Sequence, residues 1–130
     1  MLETLVTGLS HIGIRVHDAG RSEAFYEKLG FRRVWGPVGP DKVMAVRHSS
    51  GLEINFIVNA PAAEPFNILM EGAEKHTGFT HIALAISDVS ATEAALSAAG
   101  IEISGRRGAS PVQALFVRDP DGNVIELAAD

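Results

Sequence analysis

The chain states one pattern twice, and that duplication constrains its fold more than any other feature. "LSHIGIRV" (9–16) and "FTHIALAI" (79–86) both reach a His-Ile step at the third position and then alternate. Ile12, Ile14 and Val16 fall on one face of the first strand, with His11, Gly13 and Arg15 on the other. Ile82, Leu84 and Ile86 oppose His81, Ala83 and Ala85 in the second, the period-two signature of a half-buried strand. A helical stretch closed by glycine follows each, and then three further strand-like runs. The economical account is an internal duplication: two tandem βαβββ modules, 9–58 and 79–130, each with its apolar strand face under its helix.

In "DAGRSEAFYEKLG", Phe25 and Leu29 lie four apart on one stripe, and Gly30 suits the position just past a helix end. In "SATEAALSAAG", Ser90 and Glu93 have the spacing of a capping box, and Gly100 ends the helix. The runs "FRRVWGPV", "KVMAVRH" and "LEINFIV" complete the first module, separated by Gly39-Pro40 and Ser49-Ser50-Gly51. "IEISGRR", "VQALFVR" and "NVIELAA" complete the second. Between the modules, 59–78 holds two prolines and no clean period, which predicts a linker with one helical turn.

Composition narrows the chemistry. An apolar fraction of 46% is ample for a core, and a net charge of −5 offers no basic stripe for nucleic acid. With no cysteine, thiolate metal sites and thiol nucleophiles are excluded, so any metal is held by histidine, carboxylate and water. No run approaches the ~20 apolar residues of a membrane span, and "MLETLVTG" has no signal-peptide pattern. The expectation is a soluble cytoplasmic protein. Phosphate-loop, dinucleotide and nucleophile-elbow motifs are absent.

Overlaying the halves singles out His11 and His81 in the first strands and Glu53 and Glu126 in the last. The glutamates follow their histidines by 42 and 45 residues, and alternation puts each on the face opposite the apolar one. Asn55 and Ile57 share the side of Glu53; Val124 and Ala128 share that of Glu126. One polar residue on a strand is ordinarily a solvated one. Four of metal-ligand type at repeated places favour a site, with small neighbours (Gly13, Ala83, Ala85) leaving room for it. Two His and two Glu on one divalent ion leave about two of roughly six octahedral positions for water or substrate. Arg15, on the His11 face, either binds an anionic group or snorkels to solvent. His17, His48 and His76 read as surface residues, and Trp35, Met44 and Met70 as packing.

Taken together, "LSHIGIRVHDAGRSEAFYEKLGF", "GLEINFIV", "FTHIALAISDV" and "VRDPDGNVIELAA" resemble the vicinal oxygen chelate superfamily over nearly the whole chain. That superfamily includes glyoxalase I, methylmalonyl-CoA epimerase, extradiol dioxygenases and fosfomycin and bleomycin resistance proteins. The resemblance implies an α+β fold of two tandem βαβββ modules forming a cupped mixed sheet around a metal, with the helices on its outer face, often completed in a homodimer. The set His11, Glu53, His81, Glu126 is similar to the bacterial-type glyoxalase I ligand pattern, and Arg15 matches a residue that contacts the glutathione carboxylate. Four residues after Glu53, where the family carries a glutathione-binding Asn, this chain has Ile57, flanked by Asn55 and Asn59. The family's basic residue before the final hairpin aligns near Gly108, next to Arg107. Arg15, Asn55 and Arg107 are therefore the expected substrate contacts.

The implied activity is a divalent-metal-dependent lyase or isomerase acting through an enediolate on a small oxygenated substrate, with or without a thiol conjugate. The metal is one of Ni, Zn, Co, Mn or Fe. Glu126, with Glu53 across from it, is the expected proton shuttle. The alternatives are an Fe(II) extradiol dioxygenase and a non-catalytic small-molecule or antibiotic-binding resistance protein.

Overall fold

The structure, a computed structural model, describes residues 1–62 and 65–130. Ala63 and Glu64, within the linker expected at 59–78, lie outside the described residues. The chain divides into two compact units, Met1–Ala62 and Ala63–Asp130. Each holds one four-stranded mixed sheet.

The first unit begins with a short exposed helix, α1 (Leu2–Leu5), which the sequence pattern does not announce. It continues through β1 (Ile12–Val16), α2 (Ala19–Lys28), β2 (Phe31–Val38), β3 (Val43–His48) and β4 (Glu53–Val58). The sheet order is β1-β4-β3-β2, with β1 parallel to β4 and the other neighbours antiparallel. α2 carries the chain from β1 to β2 at the opposite edge of the sheet, and the antiparallel run β2-β3-β4 then returns β4 beside β1, parallel to it. α2 buries Ser22 and Tyr26 most deeply, while the expected Phe25 and Leu29 are only half-buried. Tyr26 contacts Phe56 at 5.2 Å and stands edge-on to Phe31 at 5.9 Å between ring centroids, and with Ile54 and Val16 these close the core. Two N–H donors of Arg33 grip the carboxylate of Glu23 at 2.6 Å, tying α2 to β2 and holding Glu23 below the usual carboxylate range. Trp35 is 39% exposed, against the expectation of packing, because β2 is an edge strand with one flank open.

The second unit runs β5 (His81–Ala85), α3 (Val89–Ala98), β6 (Gly105–Arg107), β7 (Ala114–Arg118) and β8 (Val124–Ala128), in the order β5-β8-β7-β6. β6 is three residues long rather than the seven expected from 101–107. The two-module α+β expectation holds.

The N-cap of α3 is Asp88, not Ser90. Its Oδ1 accepts from Ala91 N at 2.9 Å, and Asp18 caps α2 from Arg21 N at 2.7 Å in the same way. Ser90 already lies inside the first turn. Asp88→Ala should therefore lower unfolding free energy in urea by about 1 kcal/mol, and Ser90→Ala by less than about 0.5 kcal/mol.

The modules correspond residue by residue. Gly30 and Gly100 are both left-handed after their helices, at φ 96° and 72°. In the last hairpins Gly51 and Gly122 are left-handed at φ 97° and 84°. Their turns close with the same bonds: His48 N to Leu52 O and Asp119 N to Asn123 O, both at 2.9 Å. The parallel ladders then start from matching pairs, Ile12 with Ile54 and Ile82 with Ile125.

Candidate metal centre

In both modules the histidine stands at the mouth of the first strand with a hydroxyl just before it. Ser10 Oγ lies 3.0 Å from His11 Nδ1, and Thr80 Oγ1 lies 2.8 Å from His81 Nδ1. With Nδ1 donating to the hydroxyl, the ring is fixed in rotation and Nε2 keeps its lone pair for an electrophile. These two hydroxyl residues were not among the candidates; a Ser-His or Thr-His step at the same place in each repeat is their signal in the sequence.

In the second module His81 and Glu126 converge. His81 Nε2 is 3.8 Å from Glu126 Oε2, and the Phe116 ring stands edge-on to the imidazole at 6.1 Å. Glu126, in the middle of β8, is 8% exposed. A carboxylate so buried is costly unless partnered. Its Oε1 accepts from Arg107 Nε at 3.2 Å, while Arg107 also donates to both oxygens of Asp130 at 2.9 Å. The bonds to Asp130 and then to Glu126 raise the guanidinium pKa further. Arg107 can therefore let go of Glu126 and keep a counter-charge. Opposite Glu126 across the parallel pair is Ala83, whose methyl leaves the carboxylate uncovered on that side.

The first module is arranged differently. Glu53 is the first residue of β4, and its Oε1 accepts from Arg47, its cross-strand partner, at 2.7 Å. Arg15 Nε donates to Asn59 Oδ1 at 2.8 Å, and Asn59 Nδ2 donates to Asp41 Oδ1 at 3.2 Å, so an acidic residue steadies Arg15 through an amide. Asn55 is buried, and its Oδ1 has no hydrogen-bond partner among the described residues. His17 and His48 are half-buried, with Nδ1 bonded to Ala60 O and Ser50 Oγ respectively, and His76 is exposed.

The repeat register corrects one step of the sequence reading. Ile54 corresponds to Ile125, so Glu126 corresponds to Asn55, and Glu53 corresponds to Val124. The two glutamates are on equivalent strands and faces but two residues out of step. Among the described residues, no group of three or more His, Asp and Glu is gathered as for a metal. The donors that are present are of the kind a borderline divalent ion takes: two imidazoles with Nδ1 against a hydroxyl, and a buried carboxylate beside one of them.

Duplicated βαβββ modules, each carrying a histidine beside a hydroxyl and a buried polar side chain on its last strand, define a protein of the paired-module α+β class. The sequence profile of the Glyoxalase/Bleomycin resistance protein/Dioxygenase superfamily matches residues 8–127, and the chain belongs to that superfamily. It is 31% identical to the lactoylglutathione lyase of Haemophilus influenzae over 126 residues, covering 90% of this chain and 88% of the relative. Among solved structures it is similar in fold to a glyoxalase family protein from Enterococcus faecalis, with a TM-score of 0.77 at 24% identity, covering 95% of this chain and 98% of that one. It is similar in fold also to a variant of the genomically encoded fosfomycin resistance protein FosX from Listeria monocytogenes, complexed with Mn(II) and 1S,2S-dihydroxypropylphosphonic acid. That TM-score is 0.71 at 20% identity, covering 95% of this chain and 92% of that one.

Proposed function

We propose that the chain is a divalent-metal-dependent lyase or isomerase of glyoxalase type, acting on a small substrate with two adjacent oxygens. The observation that carries this reading is the buried Glu126 carboxylate with its Oε2 3.8 Å from His81 Nε2. Family membership and the likeness to a lactoylglutathione lyase support it. His81 and Glu126 are the donors that the second module offers to a metal, and His11 with a β4 side chain those that the first offers. When bound, a divalent ion supplies Lewis-acid stabilisation of the negative charge that develops on the substrate oxygens.

The rest of the chemistry falls to the chain's own residues. Glu126 takes a proton from the carbon beside the substrate carbonyl and returns it to the neighbouring carbon. Arg107 shifts fully to Asp130 as it does so, leaving Glu126 free to act as base. Arg15, held by Asn59, meets an anionic group on the substrate's far end.

Metal-stripped protein should show no turnover of the methylglyoxal–glutathione hemithioacetal, followed as thioester absorbance. Adding Ni²⁺, Co²⁺, Zn²⁺ or Mn²⁺ one at a time should restore it at least 100-fold with the preferred ion. Oxygen uptake with catechols after Fe(II) loading, in place of thioester formation, would overturn the lyase reading in favour of a dioxygenase. Tight binding of bleomycin without metal or turnover would overturn it in favour of a sequestering protein.

A further inference from the structure

The metal donor on β4 turns on which of its residues stands where Glu126 stands on β8. Counting from the turn glycines settles the correspondence. Gly51 and Gly122 close matching turns, and Asn55 and Glu126 each lie four residues beyond, whereas Glu53 lies only two beyond. The ladders agree: Gly13 faces Asn55 and Ala83 faces Glu126, the smallest side chains of β1 and β5 standing beside the two polar ones.

The geometry of the second module shows how a histidine reaches its partner. His81 is level with Val124, yet Glu126, two residues further on, comes to 3.8 Å of its Nε2. Carried to the first module, the same diagonal runs from His11 past the level of Glu53 and ends at Asn55. Glu53 lies about 7 Å back along the strand, at roughly 3.3 Å per residue. It is also committed elsewhere, through the 2.7 Å bond from Arg47.

Asn55 is not committed. It is 9% exposed, and its Oδ1 has no hydrogen-bond partner among the described residues. A buried amide oxygen left unpaired is destabilising, and such groups in native proteins ordinarily have a functional occupant. Its cross-strand neighbours are Gly13 on β1 and Ala45 on β3, neither of which has a side chain that can donate to it. A carbonyl oxygen is a competent ligand for Mn²⁺ and other oxygen-tolerant divalent ions.

We propose that Asn55, rather than Glu53, is the donor that the first module offers to a divalent metal beside His11. The inference rests on the metal-dependent reading above.

Mn²⁺ titration of the full chain, followed by the electron paramagnetic resonance of free Mn²⁺ and by calorimetry, tests this without any turnover assay. Glu53→Gln should bind within about twofold of wild type. Asn55→Ala should bind at least tenfold more weakly, the order expected for losing one of the donors or their supports. Because Asn55 is buried, its Ala variant could simply unfold, so Asn55→Asp decides the matter. A carboxylate in place of the amide should tighten Mn²⁺ about tenfold and change the visible spectrum of the Co²⁺ form, which Glu53→Gln should leave unaltered. A tenfold loss in Glu53→Gln with unchanged affinity and spectrum in Asn55→Asp would overturn the assignment while leaving metal dependence standing. Failure of the wild-type chain to take up Mn²⁺, Co²⁺, Ni²⁺ or Zn²⁺ would overturn both.

Discussion

Glu126→Gln should lower turnover at saturating metal by about 10²–10⁴, the range that a positioned general base contributes. The substitution is nearly isosteric, so it removes the base while preserving the packing of a strand whose five residues are all buried. The amide oxygen can still accept from Arg107 Nε and can still face the metal, which makes complete loss of metal the wrong expectation. Affinity should fall by roughly 10–100-fold, as for a weakened donor in an otherwise intact set. Stability should change little or rise, because a buried charge beside one half-exposed guanidinium is replaced by a neutral group of the same shape. Three readouts together separate the roles. Lost kcat with metal retained identifies the base. Lost metal with kcat recovered at high metal identifies only a ligand, and near-wild-type values of both would remove Glu126 from the site.

The duplicated architecture was legible because period-two alternation, glycine-terminated helices and the two His-Ile openings agree with one another. The faces were legible for the same reason: Ile54 and Phe56 are buried in the core while Glu53 and Asn55 share the other side, as alternation requires. Four things escaped. Asp88 and Ser90 both suit an N-cap, and propensity does not rank them; the choice depends on where the helix begins, which tertiary packing sets. The correspondence of Asn55, not Glu53, with Glu126 was missed because residue type was matched before register. The turn glycines carried the correct count, since a hairpin transmits its register to every residue beyond it. Trp35 was read as packing because hydrophobic residues usually are, but no local pattern tells an edge strand from a central one. The pairing of Arg107 with Glu126 joins β6 to β8 across β7, and a contact over that sequence distance leaves no periodic trace.

Asp119→Ala should be among the most destabilising changes in the second module, by about 2–4 kcal/mol, and should weaken metal binding along with it. Asp119 is 4% exposed and organises the turn before β8. Its Oδ1 accepts from Asp121 N and Asn123 N, and its Oδ2 from Asn123 Nδ2, each at 2.9 Å. Removing the carboxylate leaves three donors to find water in a buried turn, and charge-assisted bonds of this kind are the stronger class. Outside the turn, Gly122 O accepts from Asn67 Nδ2 at 3.1 Å and from Arg118 at 3.0 Å, while Arg118 in turn pairs with Glu71 at 2.7 Å. The hairpin is thus gripped from within and from without. What it protects is register: a one-residue slip of β8 would bring Ile125 and Leu127 to the donor face and carry Glu126 into the apolar layer. His48 Nδ1 does the corresponding work in the first module by accepting from Ser50 N at 3.0 Å, but with one neutral acceptor instead of a carboxylate. Asp119→Asn, which keeps one acceptor oxygen, should cost about 1 kcal/mol and leave metal affinity within a few-fold of wild type. Urea unfolding and Mn²⁺ titration of both variants check this. Unchanged stability and affinity in Asp119→Ala would show that the strands alone hold the register, with no need of the turn.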